Sequence, residues 1–301
     1  MHVIDMHCDS LLTVCGERGL ISTYNVSKKH PFLQFFAAFV PKEGRPPDIR
    51  RRELMHLAEI YVSETARLGL SPARDAKELS RALENGFSGA MLTVEGGGGL
   101  FADSTELDTL AALGMRVMGL VWDTNELGAS AWDKSDTGLT SEGYLMVERL
   151  SELGIIIDVS HMSDKTLYDT LDATSYPVVA THSNFRDVAT SRRNLTLDMA
   201  KRIASRGGVV GLNLYPSFLS DGEADLSDVL RHVDYALNKL GEDTLAFGFD
   251  IDGTDGKYPA GIDESGSIHD RVVELLLTHY PERIVEKLAW RNAAEFLSAN
   301  L

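Results

Sequence analysis

Cysteine is nearly absent. The 301 residues contain two, Cys8 and Cys15, too few and too close together for a disulfide framework, which points to a reducing compartment. Long apolar runs are also missing, and none approaches the roughly 20 residues that a membrane-spanning helix needs. Positive charge is scarce: 29 Lys and Arg stand against 45 Asp and Glu, a formal net charge of -16. Nucleic acid and anionic membrane surfaces are therefore poor partners, because phosphate binding leans on clustered Lys and Arg. Internal repeats, low-complexity stretches and dividing linkers are absent as well. The first apolar run begins at Val3 and leaves no room ahead of it for a signal peptide, so the expected location is the cytoplasm.

What is present has the balance of a soluble enzyme, with 44% apolar and 25% charged residues. Short apolar runs at 3–8, 33–40, 90–94, 117–121, 155–159, 178–180, 209–212 and 245–249 read as strands. Amphipathic stretches at 51–68, 75–84, 105–113, 141–153, 164–172, 196–206, 226–240 and 268–279 read as helices. Cap-type residues open several of them, Ser163 or Asp164 and Thr196 among them. Gly114, Gly154, Gly207 and Gly241 follow last turns. Strands alternating with helices predict a parallel sheet, and eight strands predict a closed (β/α)8 TIM barrel, one domain over 1–301. Two irregular segments, 16–31 and 123–143, follow strand ends, where such a barrel builds its site.

The chemistry gathers at those strand ends. His7 and Asp9 close the first run and face one way, with Cys8 facing the other. Glu95 closes the third run, and a carboxylate there calls for a cation. The following Gly96-Gly97-Gly98-Gly99 lacks the Gly-Lys-Ser/Thr of a phosphate loop and reads as close packing around a crowded site. His161 and His182 end the fifth and sixth runs at equivalent places. Three imidazoles and two carboxylates suit zinc, and these are more ligands than one tetrahedral catalytic ion uses while keeping a water. Two ions sharing Glu95 would use them all, with a bridging hydroxide as nucleophile. Arg192 and Arg193 form a guanidinium pair suited to a carboxylate. Asp250 is placed to handle a proton or an ammonium group, and Asp252 before Gly253 reads as a turn carboxylate. His2, His30, His56, His232, His269 and His279 read as structural.

Six strings, in order, resemble those of the membrane (renal-type) dipeptidases, peptidase family M19, within the amidohydrolase superfamily. They are Asp5-Met6-His7-Cys8-Asp9-Ser10-Leu11, Val94-Glu95-Gly96-Gly97, Ile157-Asp158-Val159-Ser160-His161, Thr181-His182-Ser183-Asn184, Arg192-Arg193-Asn194-Leu195 and Asp250-Ile251-Asp252-Gly253. The resemblance implies a binuclear zinc site in which His7 and Asp9 hold one ion, His161 and His182 the other, and Glu95 bridges. It implies Asp250 as the catalytic aspartate beside Glu95, Arg193 as the grip on the substrate's C-terminal carboxylate, Tyr215 as its helper, and a homodimer. It further implies tolerance of a D-residue at the C-terminal position. One departure stands out: the animal enzymes carry a histidine after the fourth strand, thought to stabilise the tetrahedral intermediate, where this chain has Val121-Trp122-Asp123-Thr124. Loss of one oxyanion donor typically lowers the rate roughly a hundredfold to a thousandfold. Either Trp122, Asp123 or another group substitutes, with Asp123 taken as a substrate contact, or the substrate differs.

The expected activity is thus zinc-dependent hydrolysis of dipeptides. A related metal hydrolase acting on a lactone, cyclic amide or phosphoester is the first alternative. Such enzymes commonly show His-x-His after the first strand and a carboxylated lysine, whereas Asp9 fills the second position here and the fourth run ends without lysine. A non-catalytic metal-dependent binding protein is the second.

Overall fold

The computed structural model describes residues 1–11, 29–84, 88–262 and 267–301; Cys15 and most of the 16–31 segment lie outside them. In chain order the elements are β1 (Val3–Asp5), β2 (Phe32–Phe39), α1 (Pro47–Arg67), β3 (Ser71–Pro72), α2 (Ala76–Glu84), β4 (Gly89–Glu95), α3 (Thr105–Leu113) and β5 (Met115–Gly119). Then follow α4 (Ser141–Glu152), β6 (Ile156–Asp158), α5 (Asp164–Ala173), β7 (Val178–Val179), α6 (Leu197–Ala204), β8 (Val210–Leu212), α7 (Pro216–Leu219), α8 (Leu226–Leu240) and β9 (Leu245–Phe247). The chain finishes with α9 (Ile268–His279), α10 (Glu282–Glu286), a π-helical turn (Lys287–Arg291) and α11 (Asn292–Asn300).

Every strand pairs in parallel, in the order β7-β6-β5-β4-β2-β1-β9-β8, with β3 alongside β4. The sheet comes round on itself where Ala180, just past β7, bridges to Val210 of β8. This is the (β/α)8 barrel that the alternation predicts, and its eight ring strands fall on the eight expected runs. β1, β6, β7, β8 and β9 are shorter than their runs, β2 and β5 match theirs in length, and β4 is longer.

Alternation along β2 shows how the barrel fills. Leu33 and Phe35 join an inner cluster with Ile4, Met6, Met91, Val117, Ile156 and Val179, while Phe36 and Ala38 join the outer core against the helices. Each fully buried Leu or Phe contributes roughly 1.5–3 kcal/mol. Ala293, Phe296 and Leu297 of α11 belong to the inner cluster, so the carboxyl-terminal segment covers apolar surface inside the ring. The expected caps form: Ser163 accepts the amide of Thr166, and Thr196 accepts that of Met199. No helix among the described residues is long and apolar enough to cross a membrane.

Candidate metal centre

Beyond β1 the chain stays extended to Asp9, because Cys8 exchanges hydrogen bonds with Phe35 and Ala37 of β2 and the Asp9 amide donates to Ile251. The period of two therefore survives: His7 and Asp9 meet, with His7 Nε2 3.5 Å from Asp9 Oδ2, and Cys8 lies buried in the outer core. Glu95, the last residue of β4, places Oε1 2.8 Å from His161 Nε2, 3.2 Å from His182 Nε2 and 3.8 Å from His7 Nε2. The two Nε2 atoms of His161 and His182 lie 2.9 Å apart. The rings of His7 and His182 stack at 3.7 Å. Asp250 joins the group, its Oδ1 3.7 Å from His7 Nε2. Two members, His161 and Asp250, hold left-handed backbone at φ 65° and 63°, a conformation worth roughly 1–3 kcal/mol of strain, of the kind that clusters at functional sites.

All five expected ligands are thus brought together, and each is at most 6% exposed. Donor atoms fall into three overlapping sets, His7 with Asp9 and Glu95, Glu95 with His161 and His182, and His7 with His182 and Asp250, each set within 4.8 Å. The last set was not foreseen. His7 Nε2 and Asp9 Oδ1 are buried and make no hydrogen bond with any described residue. Burial disfavours a charged His7, but Glu95, Asp9 and Asp250 overcome it and raise its pKa to about 10. Burial holds His161 and His182 well below the ordinary imidazole value and pushes Glu95 well above the ordinary carboxyl value. Buried imidazole nitrogens aimed at carboxylates, with donor atoms left unpaired, are what a divalent cation completes. The residues fit metal.

Sequence reasoning missed the groups behind this cluster. Asp158 accepts the Thr181 hydroxyl, and Thr181 Oγ1 lies 2.7 Å from His182 Nδ1. Asn213 Nδ2 donates to Asp250 Oδ2 at 3.0 Å. Gly253 lies so close that a Cβ there would sit 2.2 Å from Asp9 Oδ2 and 2.3 Å from Asp250 Oδ1. Asp158 and Thr181 stand within the quoted strings, yet only the fold shows which neighbours they touch.

A cavity of about 190 Å³ opens on the cluster at Glu95, His161 and Asp250. Trp122, Tyr215 and Phe218 give it aromatic walls, and Trp132, 50% exposed, stands at its rim. Trp122, with its ring 5.9 Å from His161, lines the cavity, whereas Asp123 is half-buried near Lys42 and does not. Burial raises the Asp123 carboxyl above its ordinary value against the pull of Lys42. The guanidinium pair separates: Arg192 is exposed, while Arg193 is buried and donates to Ser183 Oγ and the His182 carbonyl, both at 2.7 Å. Burial lowers the Arg193 pKa to about 10, and its Nε has no partner among the described residues. Tyr215 is half-buried, with its ring 4.8 Å from that of Phe218. Burial also raises the Asp250 carboxyl to about 6.

Imidazoles and carboxylates gathered at the carboxyl ends of barrel strands define a metal-dependent hydrolase. The profile of the membrane dipeptidase family, peptidase family M19, matches residues 1–299, and the chain belongs to that family. It is a hydrolase of the metallo-dipeptidase class. It is 33% identical over 261 residues to a Klebsiella pneumoniae protein described as "Uncharacterized protein in pqqA 5'region", covering 83% of this chain and 95% of that one. To Dipeptidase 3 of Mus musculus it is 28% identical over 260 residues, covering 83% of this chain and 52% of the mouse protein, so it spans about half the length of that relative. A metallo peptidase from Rhodobacter sphaeroides, crystallised with a phosphinate mimic of the dipeptide L-Ala-D-Ala, superposes with a TM-score of 0.86 at 27% identity, covering 100% and 99% of the two chains. A second M19 dipeptidase structure gives a TM-score of 0.87 at 28% identity, covering 100% and 98%.

Proposed function

We propose that the protein hydrolyses dipeptides, including those with a C-terminal D-residue, with two zinc ions held by His7 and Asp9 on one side, His161 and His182 on the other, and Glu95 between them. The observation that carries this reading is the position of Glu95 Oε1, within 3.2 Å of both His161 and His182 Nε2 and 3.8 Å from His7 Nε2. When bound, the ions supply Lewis acidity and hydroxide at neutral pH. Asp250 handles the proton: Asn213 holds its Oδ2, leaving Oδ1 beside His7 to accept the proton that the water gives up in becoming hydroxide and to return it to the departing amine. Arg193 is fixed by Ser183 and the His182 carbonyl and is not itself among the residues lining the cavity; its remaining N–H groups are the ones that would reach the free carboxylate of the substrate, limiting it to short peptides and aligning the scissile bond. Tyr215 and Phe218 flank the bound side chains. The L-Ala-D-Ala mimic bound by the Rhodobacter relative supports the tolerance of a D-residue. The scarcity of cysteine is the one feature behind the proposal of a cytoplasmic setting.

The test is metal analysis together with hydrolysis of L,L and L,D dipeptides by zinc-loaded and chelated protein. Two zinc equivalents per chain and turnover that disappears on chelation and returns with zinc are expected; a fully zinc-loaded protein that cleaves no dipeptide would falsify the reading. Arg193→Lys keeps the charge but not the fork. It should raise KM for dipeptides roughly tenfold to a hundredfold with zinc content unchanged, and an unaltered KM would remove Arg193 from the substrate.

A further inference from the structure

We propose that Asp5 and Asp158, neither of which lines the cavity, are a matched pair of positioning residues, each fixing a strand end that carries a ligand of one half of the metal centre (His7 for Asp5, His161 and His182 for Asp158), so that the two halves can be loosened separately. This rests on the two-ion reading above.

The two aspartates occupy equivalent places. Each is the last residue of a ring strand, after Val3-Ile4 in β1 and after Ile156-Ile157 in β6. Each is buried, at 1% and 5% exposure. Asp5 Oδ1 accepts the amide of His7, two residues ahead, at 3.2 Å, and the amide of Phe249, from the segment leaving β9, at 3.0 Å. Asp158 Oδ1 accepts the amide of Ser160, two residues ahead, at 2.9 Å, and the amide of Thr181, from the segment leaving β7, at 3.0 Å. In both cases one carboxylate oxygen joins two neighbouring strand ends, and each strand end delivers a site residue. Asp5 joins the peptide of His7 to the one preceding Asp250; Asp158 joins the peptide preceding His161 to the one preceding His182.

The second oxygens are anchored differently. Asp5 Oδ2 lies 2.8 Å from Nε2 of His269, a fully buried residue of α9. Asp158 Oδ2 accepts the hydroxyl of Thr181. Because the single Thr181 hydroxyl proton is committed there, Thr181 Oγ1 accepts from His182 Nδ1–H, and the ring presents its Nε2 lone pair towards Glu95. Asp158 thus sets both the spacing and the tautomer of its half.

A metal site requires the strand ends that carry its ligands to be held to a tolerance of roughly 0.5 Å, and each aspartate adds a tie between two such ends to the backbone bonds already there. A carboxylate accepting two amides supplies that hold through charge-assisted bonds. Loss of such support typically lowers metal affinity about 10–100-fold.

The experiment is zinc titration of the metal-free protein against a chromophoric chelator, with thermal unfolding recorded for each variant. Asp5→Asn keeps an acceptor but not the charge. It should weaken one of the two ions roughly tenfold to a hundredfold and leave the other at wild-type affinity; Asp158→Asn should do the same to the other ion. A His182→Ala background assigns them: there Asp5→Asn weakens the remaining ion by the same factor, and Asp158→Asn adds nothing. Should Asp5→Asn fail to fold, His269→Leu tests the same half by removing only the support of Oδ2, with a smaller loss at the same ion. Unchanged affinities in both aspartate variants, or loss of both ions together in step with the melting temperature, would overturn the proposal while leaving the two-ion reading intact. Wild-type protein that binds fewer than two ions would overturn both.

Discussion

His232 and His182 are both fully buried imidazoles, and their surroundings give them opposite uses. His182 directs Nε2 at Glu95, a carboxyl group that His161 and His7 also face. His232 is finished: its Nδ1 accepts the Phe185 amide at 3.4 Å and its Nε2 donates to the Leu219 carbonyl at 3.1 Å, which uses both nitrogens of a neutral ring. Burial pushes its pKa down from 6.5 to about 4. Above pH 6.5 the ring is neutral in both folded and unfolded chains, so it contributes no pH dependence. Between 6.5 and 4 the unfolded chain takes up the proton and the folded one resists, so stability falls as the pH falls, by about 3 kcal/mol across that window. Urea unfolding of the metal-free protein at pH 7 and pH 4 should show wild type losing about 3 kcal/mol more than His232→Gln. Equal losses in the two proteins would mean that the ring is not held neutral.

At the scale of elements, the loop after β5 is tied to α1 by a pair buried on one side only. Arg50 of α1 is 2% exposed and grips both oxygens of Glu126, at 2.7 and 2.9 Å, while the Glu126 side chain is 29% exposed. Glu126→Ala strands a guanidinium in the interior and should destabilise by roughly 3 kcal/mol. Arg50→Met leaves behind only a carboxylate that water can reach, and should be milder. The reverse order in denaturant unfolding would show that the pair is not held together by the burial of Arg50. The pair also shows what the sequence conceals. Asn125-Glu126-Leu127-Gly128 is visible as a string, but its partner lies 76 residues away on a helix read as starting at Arg51, one residue too late to contain Arg50. Likewise Arg192 and Arg193 are alike in residue type and loop position and were told apart only by the family resemblance; packing shows one exposed and one buried. His7, Asp9, Glu95, His161 and His182 were legible because each follows an apolar run, and the ends of barrel strands converge on one face. The segment after His279 was not. Its buried residues Ile284, Leu288 and Phe296 recur at multiples of four rather than 3.6, and the π-helical turn Lys287–Arg291 takes up the drift.

The barrel as a whole closes at one crowded joint. Gly211 of β8 and Gly248, just past β9, both face the Thr181 carbonyl, and a Cβ on either would lie 1.8 Å from that oxygen. The obstacle is backbone, held by the Ala180–Val210 bridge and by the Thr181 bonds to Asp158, so no side-chain rotation can relieve it. Gly207, only four residues earlier, has a left-handed φ of 74° but open space around it, so its requirement for glycine is conformational alone. Gly207→Ala should lower stability by about 1–2 kcal/mol. Gly211→Ala must instead part β7 from β8, and should exceed that loss or prevent folding. Because Thr181 also orients His182, whatever folded Gly211→Ala protein can be recovered should bind zinc more weakly on the His161 and His182 side, whereas Gly207→Ala should bind it normally. Thermal unfolding and zinc titration of the two variants decide the matter: equal stability and equal affinity would show that the closing joint and the metal centre are mechanically independent.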